Sequence, residues 1–291
     1  MSQEDSVIFD RVTIVGPGLL GASIGMGLKE RHLVKNLWVW VRSEEKIHAC
    51  DSVNWCDYAT LDLQKAVAGS DLVILCTPVE TIINHIKLIS DWVKPGSIVT
   101  DVGSLKNKIC LEAEKSFKDK KAYFIGSHPM TGSEKSGMAF ATSEILFNKT
   151  CIVTPIKTRY EDALVKLEKT WKELGMHVTR LHPKKHDQVV GCISHLPHLV
   201  AVALINAVER LNPKETKLSG DGLRDTTRVA AGNPEMWKQI ILGNRDNLSI
   251  LVSEMILELK KVKDAVDEHD ESKIEKLLTT GKQARERLDD R

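Results

Sequence analysis

The chain has 291 residues, of which 42% are hydrophobic and 28% charged, enough apolar material for a large core and about two domains, which excludes disorder as the main state. Its 41 Lys and Arg nearly balance 40 Asp and Glu, leaving a formal charge of +1. The broad basic field of a protein that wraps nucleic acid is therefore absent, while local clusters suffice for a small anion. Met1-Ser2-Gln3-Glu4-Asp5 is acidic and has neither the basic nor the apolar region of a secretory leader. The longest apolar stretch, Val189 to Val208, is interrupted by Gly191, His195, Pro197, His198 and Asn206. No membrane-spanning helix of about 20 mostly apolar residues is expected there. The six cysteines, at 50, 56, 76, 110, 151 and 192, form no C-x-x-C pair and read as reduced thiols of a cytoplasmic protein.

In chain order, Arg11 to Val15 is a β-branched run followed by a glycine turn and a helical stretch to about Arg31. Leu37–Val41, Leu72–Cys76 and Ser97–Thr100 are further short apolar runs, with helical segments such as Pro78 to Trp92 between them. This alternation predicts βαβ units and a doubly wound parallel sheet of the Rossmann type, an α/β fold. Tyr123–Gly126, Cys151–Thr154 and His177–Leu181 read as later strands of the same domain. From Lys184 onward only helical patterns occur, punctuated at Asn212-Pro213, Gly220–Gly222 and Asn233-Pro234. Residues 1–181 are thus expected to form a dinucleotide-binding domain and residues 182–291 an all-α domain. Within the latter, Leu248, Val252, Met255, Leu259, Val262 and Val266 are spaced 4, 3, 4, 3, 4. Such a seam serves equally inside a bundle or between two copies of the chain.

Gly16-Pro17-Gly18-Leu19-Leu20-Gly21 fits G-x-G-x-x-G, directly after a strand and opening a helix. The first glycine permits the tight turn, the second lets backbone approach a pyrophosphate, and the third allows close helix–strand packing. Gly16, Gly18, Leu19, Leu20 and Gly21, with Thr77, form the candidate cofactor cradle. Where the ribose-binding acid of an NAD site is expected stands Val41, followed by Arg42 and Ser43. A cation and a hydroxyl suit a 2′-phosphate, so the cofactor reads as NADP. The alternative is NAD, with Glu44 reaching back to the ribose.

Four further segments matter together: Asp101-Val102-Gly103-Ser104-Leu105-Lys106; Ser127-His128-Pro129-Met130-Thr131-Gly132-Ser133-Glu134-Lys135-Ser136-Gly137; Ser194-His195-Leu196-Pro197-His198; and Asp225-Thr226-Thr227-Arg228 ahead of Met236-Trp237. With the glycine turn, this set resembles the prephenate/arogenate (cyclohexadienyl) dehydrogenases of tyrosine biosynthesis, from about Val12 to about Leu259. The resemblance implies that His128 accepts the hydrogen of the substrate's C4 hydroxyl and that Ser104 contacts both that hydroxyl and the nicotinamide. It implies that His198 and Arg228 bind substrate, the arginine gripping a carboxylate, and that Glu134 and Trp237 stand at the mouth of the site. His195 is assigned to substrate binding or to orienting its neighbours. A homodimer formed through the helical domain, with Trp237 near the neighbour's site, is also implied.

The chemistry makes sense of these residue types. Prephenate, a small anionic cyclohexadiene, carries a ring carboxylate opposite a secondary alcohol. Oxidising that alcohol needs a hydride acceptor and a base near neutral pKa, which an imidazole provides. Loss of carbon dioxide then makes the ring aromatic, and no metal is required. Two other readings share parts of the pattern: a β-hydroxy acid dehydrogenase or imine reductase of similar architecture, and a non-catalytic NADP-sensing module. Duller readings of single residues also stand. His195 and His198, three apart, lack further ligands at zinc spacing; His182 and His186 read as exposed; Asp101 reads as a helix cap and Lys106 as a solvated first-turn charge. Asp187 reads either as a first-turn helix acid or as a partner for the amine of arogenate.

Overall fold

The computed structural model describes residues 7–131, 135, 137–156, 160–211 and 214–289. The first half runs β1 (Phe9–Val15), α1 (Leu19–Glu30), β2 (Val34–Trp40), α2 (Glu44–Asp51), β3 (Tyr58–Thr60), α3 (Leu63–Val67), β4 (Leu72–Leu75), α4 (Val79–Ile89), β5 (Ile98–Asp101), α5 (Asn107–Ser116) and β6 (Tyr123–Phe124). These six strands form one parallel sheet in the order β3-β2-β1-β4-β5-β6, the order of a Rossmann fold. Its central strand β4, Leu72–Leu75, is apolar without interruption because helices cover both faces. Along β4, Leu72 and Ile74 join one core with Ile24 and Leu28 of α1. Val73 and Leu75 join the other with Ile82 and Ile86 of α4 and Ile109 of α5. That alternation is the two-residue period of a strand.

The later strands expected in this domain form a second sheet beyond Phe124. β7 (Gly126–Pro129) pairs antiparallel with β8 (Thr150–Thr154), and after α6 (Glu161–Glu173) the strand β9 (His177–Arg180) lies parallel to β8. These three make a separate sheet, β7-β8-β9. Gly126 opens it, where a Cβ would stand 2.5 Å from Thr154 Oγ1. Trp171 of α6 and Ile125 still reach the core formed by α1, so both sheets share one interior. The run Tyr123–Gly126 therefore contains the end of one strand and the start of another.

Beyond Arg180 the chain is helical: α7 (Pro183–Val190), a π turn at Gly191–His195, α8 (Leu196–Leu211), α9 (Asp221–Thr227), a 3-10 turn at Arg228–Ala231, α10 (Pro234–Gly243), α11 (Arg245–Asp267) and α12 (Glu271–Asp289). His182 caps α7, its side chain accepting from Lys184 N, and Pro183 occupies the first turn. The residues expected to interrupt the apolar stretch do not break it. Pro183–Arg210 is one 28-residue helix, long and apolar enough by length and composition to cross a bilayer. It nevertheless buries His186, Asp187, His195 and His198. Pro197 has no N–H to return to Ile193, and the π turn immediately before it is where the hydrogen-bond ladder absorbs that loss.

The seam on α11 divides. Leu248 is buried, while Leu259, Val262 and Val266 are 56%, 48% and 55% exposed. An internal bundle seam is therefore excluded for its second half.

Candidate active site

The glycine turn joins β1 to α1 at the carboxyl edge of the sheet, between β1 and β4, where the strand order reverses and such sheets bind ligands. Gly16 has φ +88°, and a Cβ there would sit 2.6 Å from Thr77 Cγ2, so only glycine lets the turn lie against the end of β4. Gly21 packs as tightly, its Cβ position 2.7 Å from Gly16 O. Around Gly18, by contrast, nothing lies within 4 Å. Gly18 caps α1 without a side-chain bond, and the first turn of α1 holds no acid. An open approach to uncapped amides at a helix amino end fits a pyrophosphate, so these residues suit a dinucleotide. Val41 is buried and Arg42 exposed just past β2. Ser43 caps α2 with its hydroxyl making no capping bond, ahead of Glu44 and Glu45.

Ser104 lies half-buried in the loop from β5 to α5. This loop is anchored from below. Asp101 closes β5, accepts from Gly103 N at 2.8 Å and forms an ion pair with Lys106 Nζ, both side chains fully buried. Asp101 is thus not a helix cap and Lys106 is not a solvated charge, contrary to expectation. Burying two charges is tolerable because they neutralise each other. The amino end of α5 is capped from another element: Asp187 Oδ1 accepts from Lys106 N at 2.8 Å and Oδ2 from Asn107 N at 3.0 Å.

His128, in β7, is buried, and its Nδ1 lies 2.8 Å from His186 Nε2. His186 Nδ1 in turn lies 2.8 Å from Asp187 Oδ1. His186 is completely buried rather than exposed, and Asp187 is buried with its oxygens engaged, so it is unavailable to an amine of the substrate. Both are expectations overturned by the docking of α7 against the β5–α5 loop. Asn244, at the junction of α10 and α11, directs its amide nitrogen at Asp187 O (2.8 Å) and His195 Nδ1 (3.1 Å), while Asn247 Nδ2 donates to its oxygen at 2.7 Å. A backbone carbonyl only accepts, so the atom facing it is Nδ2, and His195 must accept at Nδ1 and carry its proton on Nε2.

His198 stacks on Trp237, ring centroids 3.5 Å apart and planes 8° from parallel, and His195 meets the same indole edge-on at 6.0 Å. Trp237 thus lies against its own chain's histidines. The 3-10 turn opened by the exposed Arg228 ends beside this stack: a Cβ on Gly232 would sit 2.4 Å from Trp237 Nε1 and 3.3 Å from His198 Cε1. Glu134 falls outside the described residues. Among the described residues, no group of three or more His, Cys, Asp or Glu is placed to hold a metal.

Burial sets the electrostatics. It pushes His128 well below the ordinary imidazole value, helped by charge at His186, Lys106 and His195. His195 is pushed down to about 4, chiefly by burial, and His186 and His198 are lowered for the same reason. Near neutral pH the cluster is a set of neutral imidazoles, each able to accept or donate at a defined nitrogen. Of its members, sequence reasoning found His128, His195 and His198, weighed Asp187 in a different role, and missed His186 and Asn244 as site residues. Lys185-His186-Asp187-Gln188 reads as an ordinary polar helix face, and no local signal marks it.

Comparison with known proteins agrees with this geometry. The nucleotide-binding domain of prephenate dehydrogenase matches as a family over residues 24–180 and its dimerization domain over residues 182–280. The first match begins just after the glycine turn, so the turn's assignment rests on its own shape. A prephenate dehydrogenase of Bacillus subtilis is 31% identical over 283 residues, 96% of this chain and 76% of that protein. Among solved structures, prephenate dehydrogenase from Aquifex aeolicus, in complex with hydroxyphenyl propionate and NAD+, superposes with a TM-score of 0.86 at 29% identity, covering 95% of this chain and 98% of the other. Synechocystis arogenate dehydrogenase gives 0.82 at 27%, covering 96% and 99%. Two successive matches to one family, spanning both the sheet and the helices, establish that the chain belongs to the prephenate dehydrogenase family.

Proposed function

We propose that this chain oxidises and decarboxylates prephenate, arogenate or both, releasing 4-hydroxyphenylpyruvate or tyrosine, with NADP preferred over NAD. The observation that carries this reading is His128: a buried imidazole, neutral near pH 7, at the end of β7 beside the Ser104 loop. Residues 1–181 act as the dinucleotide-binding unit and residues 182–291 as the substrate-binding and dimer-forming unit.

NAD(P), when bound at the glycine turn, supplies the hydride acceptor. The remaining work falls to the protein's own side chains. His128 takes the proton of the C4 hydroxyl, which Ser104 also contacts. Arg228 grips a carboxylate and so fixes the ring relative to the base. His198, held flat by Trp237, contacts the substrate, as does His195 through its Nε2–H, and Glu134 completes the mouth. Gly16, Gly18, Leu19, Leu20, Gly21 and Thr77 hold the dinucleotide. The buried Val41 offers no carboxylate to a ribose, and the exposed Arg42 with Ser43 supports a 2′-phosphate.

The exposed apolar side chains of α11, among them Ile250, Ile256, Leu259 and Val262, support a homodimer formed through the helical half.

Initial rates with prephenate and with arogenate, each with NADP and with NAD, test this reading. Turnover of either substrate, faster with NADP, is expected. Turnover favouring NAD would discard the Arg42–Ser43 argument and keep the reaction; none in all four combinations would discard the reaction.

A further inference from the structure

Resting on that reading of His128, we propose that His186 and Asp187 are positioning residues that hold His128 in the tautomer protonated at Nδ1, leaving Nε2 as its only basic nitrogen. The argument is one of donors and acceptors. A carboxylate has only lone pairs to offer, and Asp187 already receives Lys106 N and Asn107 N from the amino end of α5. The His186 nitrogen facing it at 2.8 Å must therefore carry the hydrogen. Neutral His186 then has a lone pair at Nε2, and the His128 nitrogen 2.8 Å away, Nδ1, must donate to it. An isolated imidazole has both tautomers open to it; this chain of two bonds removes one.

All three side chains are buried, so no solvent competes for these bonds, and a broken link would leave an unpaired polar group in the interior. The consequence for the reaction is specific. When the substrate's O–H bond breaks and an N–H bond forms at His128 Nε2, the electron pair of the adjacent C4–H bond leaves as hydride to the oxidised nicotinamide. The imidazolium so formed points its Nδ1–H along a line of acceptors that ends on a negative charge. Two buried groups that no sequence motif singles out, His186 and Asp187, thereby serve one nitrogen.

Long-range 1H–15N spectra of 15N-histidine-labelled protein, with oxidised cofactor bound, read the tautomers directly. The signals of His128 are assigned by their loss in His128→Asn. Protonated Nδ1 and bare Nε2 are expected at both His128 and His186, and the reverse tautomer at either overturns the proposal. Kinetics of two variants add a second readout. His186→Gln keeps an acceptor for His128 Nδ1 and is expected to hold kcat within about 10-fold of wild type. His186→Leu removes that acceptor and is expected to lose about 100-fold or more in kcat with substrate KM little changed. Equal losses in the two variants overturn the proposal. Should His186→Leu fail to fold, the spectra decide alone. Absence of turnover by the wild-type protein would sink the proposed reaction, yet the spectra would still report the tautomers, so the two failures are distinguishable.

Discussion

In the proposed reaction, burial is what suits His128 to act as the base, because it keeps the imidazole unprotonated at a pH where an exposed histidine is partly charged. His128→Asn is expected to bind cofactor as wild type does, measured by fluorescence titration, while turnover falls by about 100- to 10,000-fold; a fully active variant would remove His128 from its role. The same burial makes stability depend on pH. The unfolded chain takes up protons at histidine as pH falls through about 6.5, but folded His195 does so only at about 4. The stability tied to His195 is therefore fully present above about pH 6.5 and is lost as pH falls, by on the order of 3 kcal/mol near pH 4. His128, His186 and His198 are lowered too and steepen the loss. Urea midpoints compared at about pH 7.5 and about pH 4.5 should differ accordingly, and a flat profile would contradict the burial argument. At this scale the sequence named His128, His195 and His198 because they sit in recognisable segments. It could not name His186, whose bond to His128 joins residues 58 positions apart, or Asn244, 57 positions from Asp187.

At the scale of elements, local pattern carried most of the fold. Short apolar runs between amphipathic helices were legible as strands of a parallel sheet, and the glycine turn was legible as a βα junction. β3 was missed because three residues, Tyr58–Thr60, are too few to display a period. The partition of β6 and β7 into different sheets was missed because one residue, Ile125, separates them. The tightness of the turn yields a prediction. In Gly21→Ala the new methyl would meet Gly16 O and the Cys76 side chain, at 2.7 and 3.0 Å from its ideal position, and a backbone carbonyl cannot step aside without moving the turn. Dinucleotide affinity should drop at least about 10-fold and stability by about 1–3 kcal/mol, measured by titration and by urea unfolding. Unchanged affinity would show that the turn tolerates a side chain and would undercut its role as a cradle.

For the whole molecule, the two halves differ in how much they bury. The sheet domain encloses two extensive cores, whereas α9, α11 and α12 leave most of their apolar side chains in contact with solvent. A helical half so sparsely buried gains stability if it pairs with a second copy. Replacing Leu259 and Val262 together by Glu should convert a dimer to a monomer at micromolar concentration, read by sedimentation equilibrium. An unchanged mass would move the interface elsewhere.

The sequence by itself determined the α/β class, the change to helix from about Lys184 onward and the family, because strand and helix periods, turn glycines and motif spacing are local properties of the chain. Only the tertiary structure decided that Lys106 and Asp101 are a buried pair, that Asp187 caps α5, and that His186 stands behind His128. It also decided that the second half of the α11 seam faces outward. The physical reason is common to all of these: each depends on which surface of one element is pressed against another, and a charged or polar residue reads the same in sequence whether water or protein surrounds it.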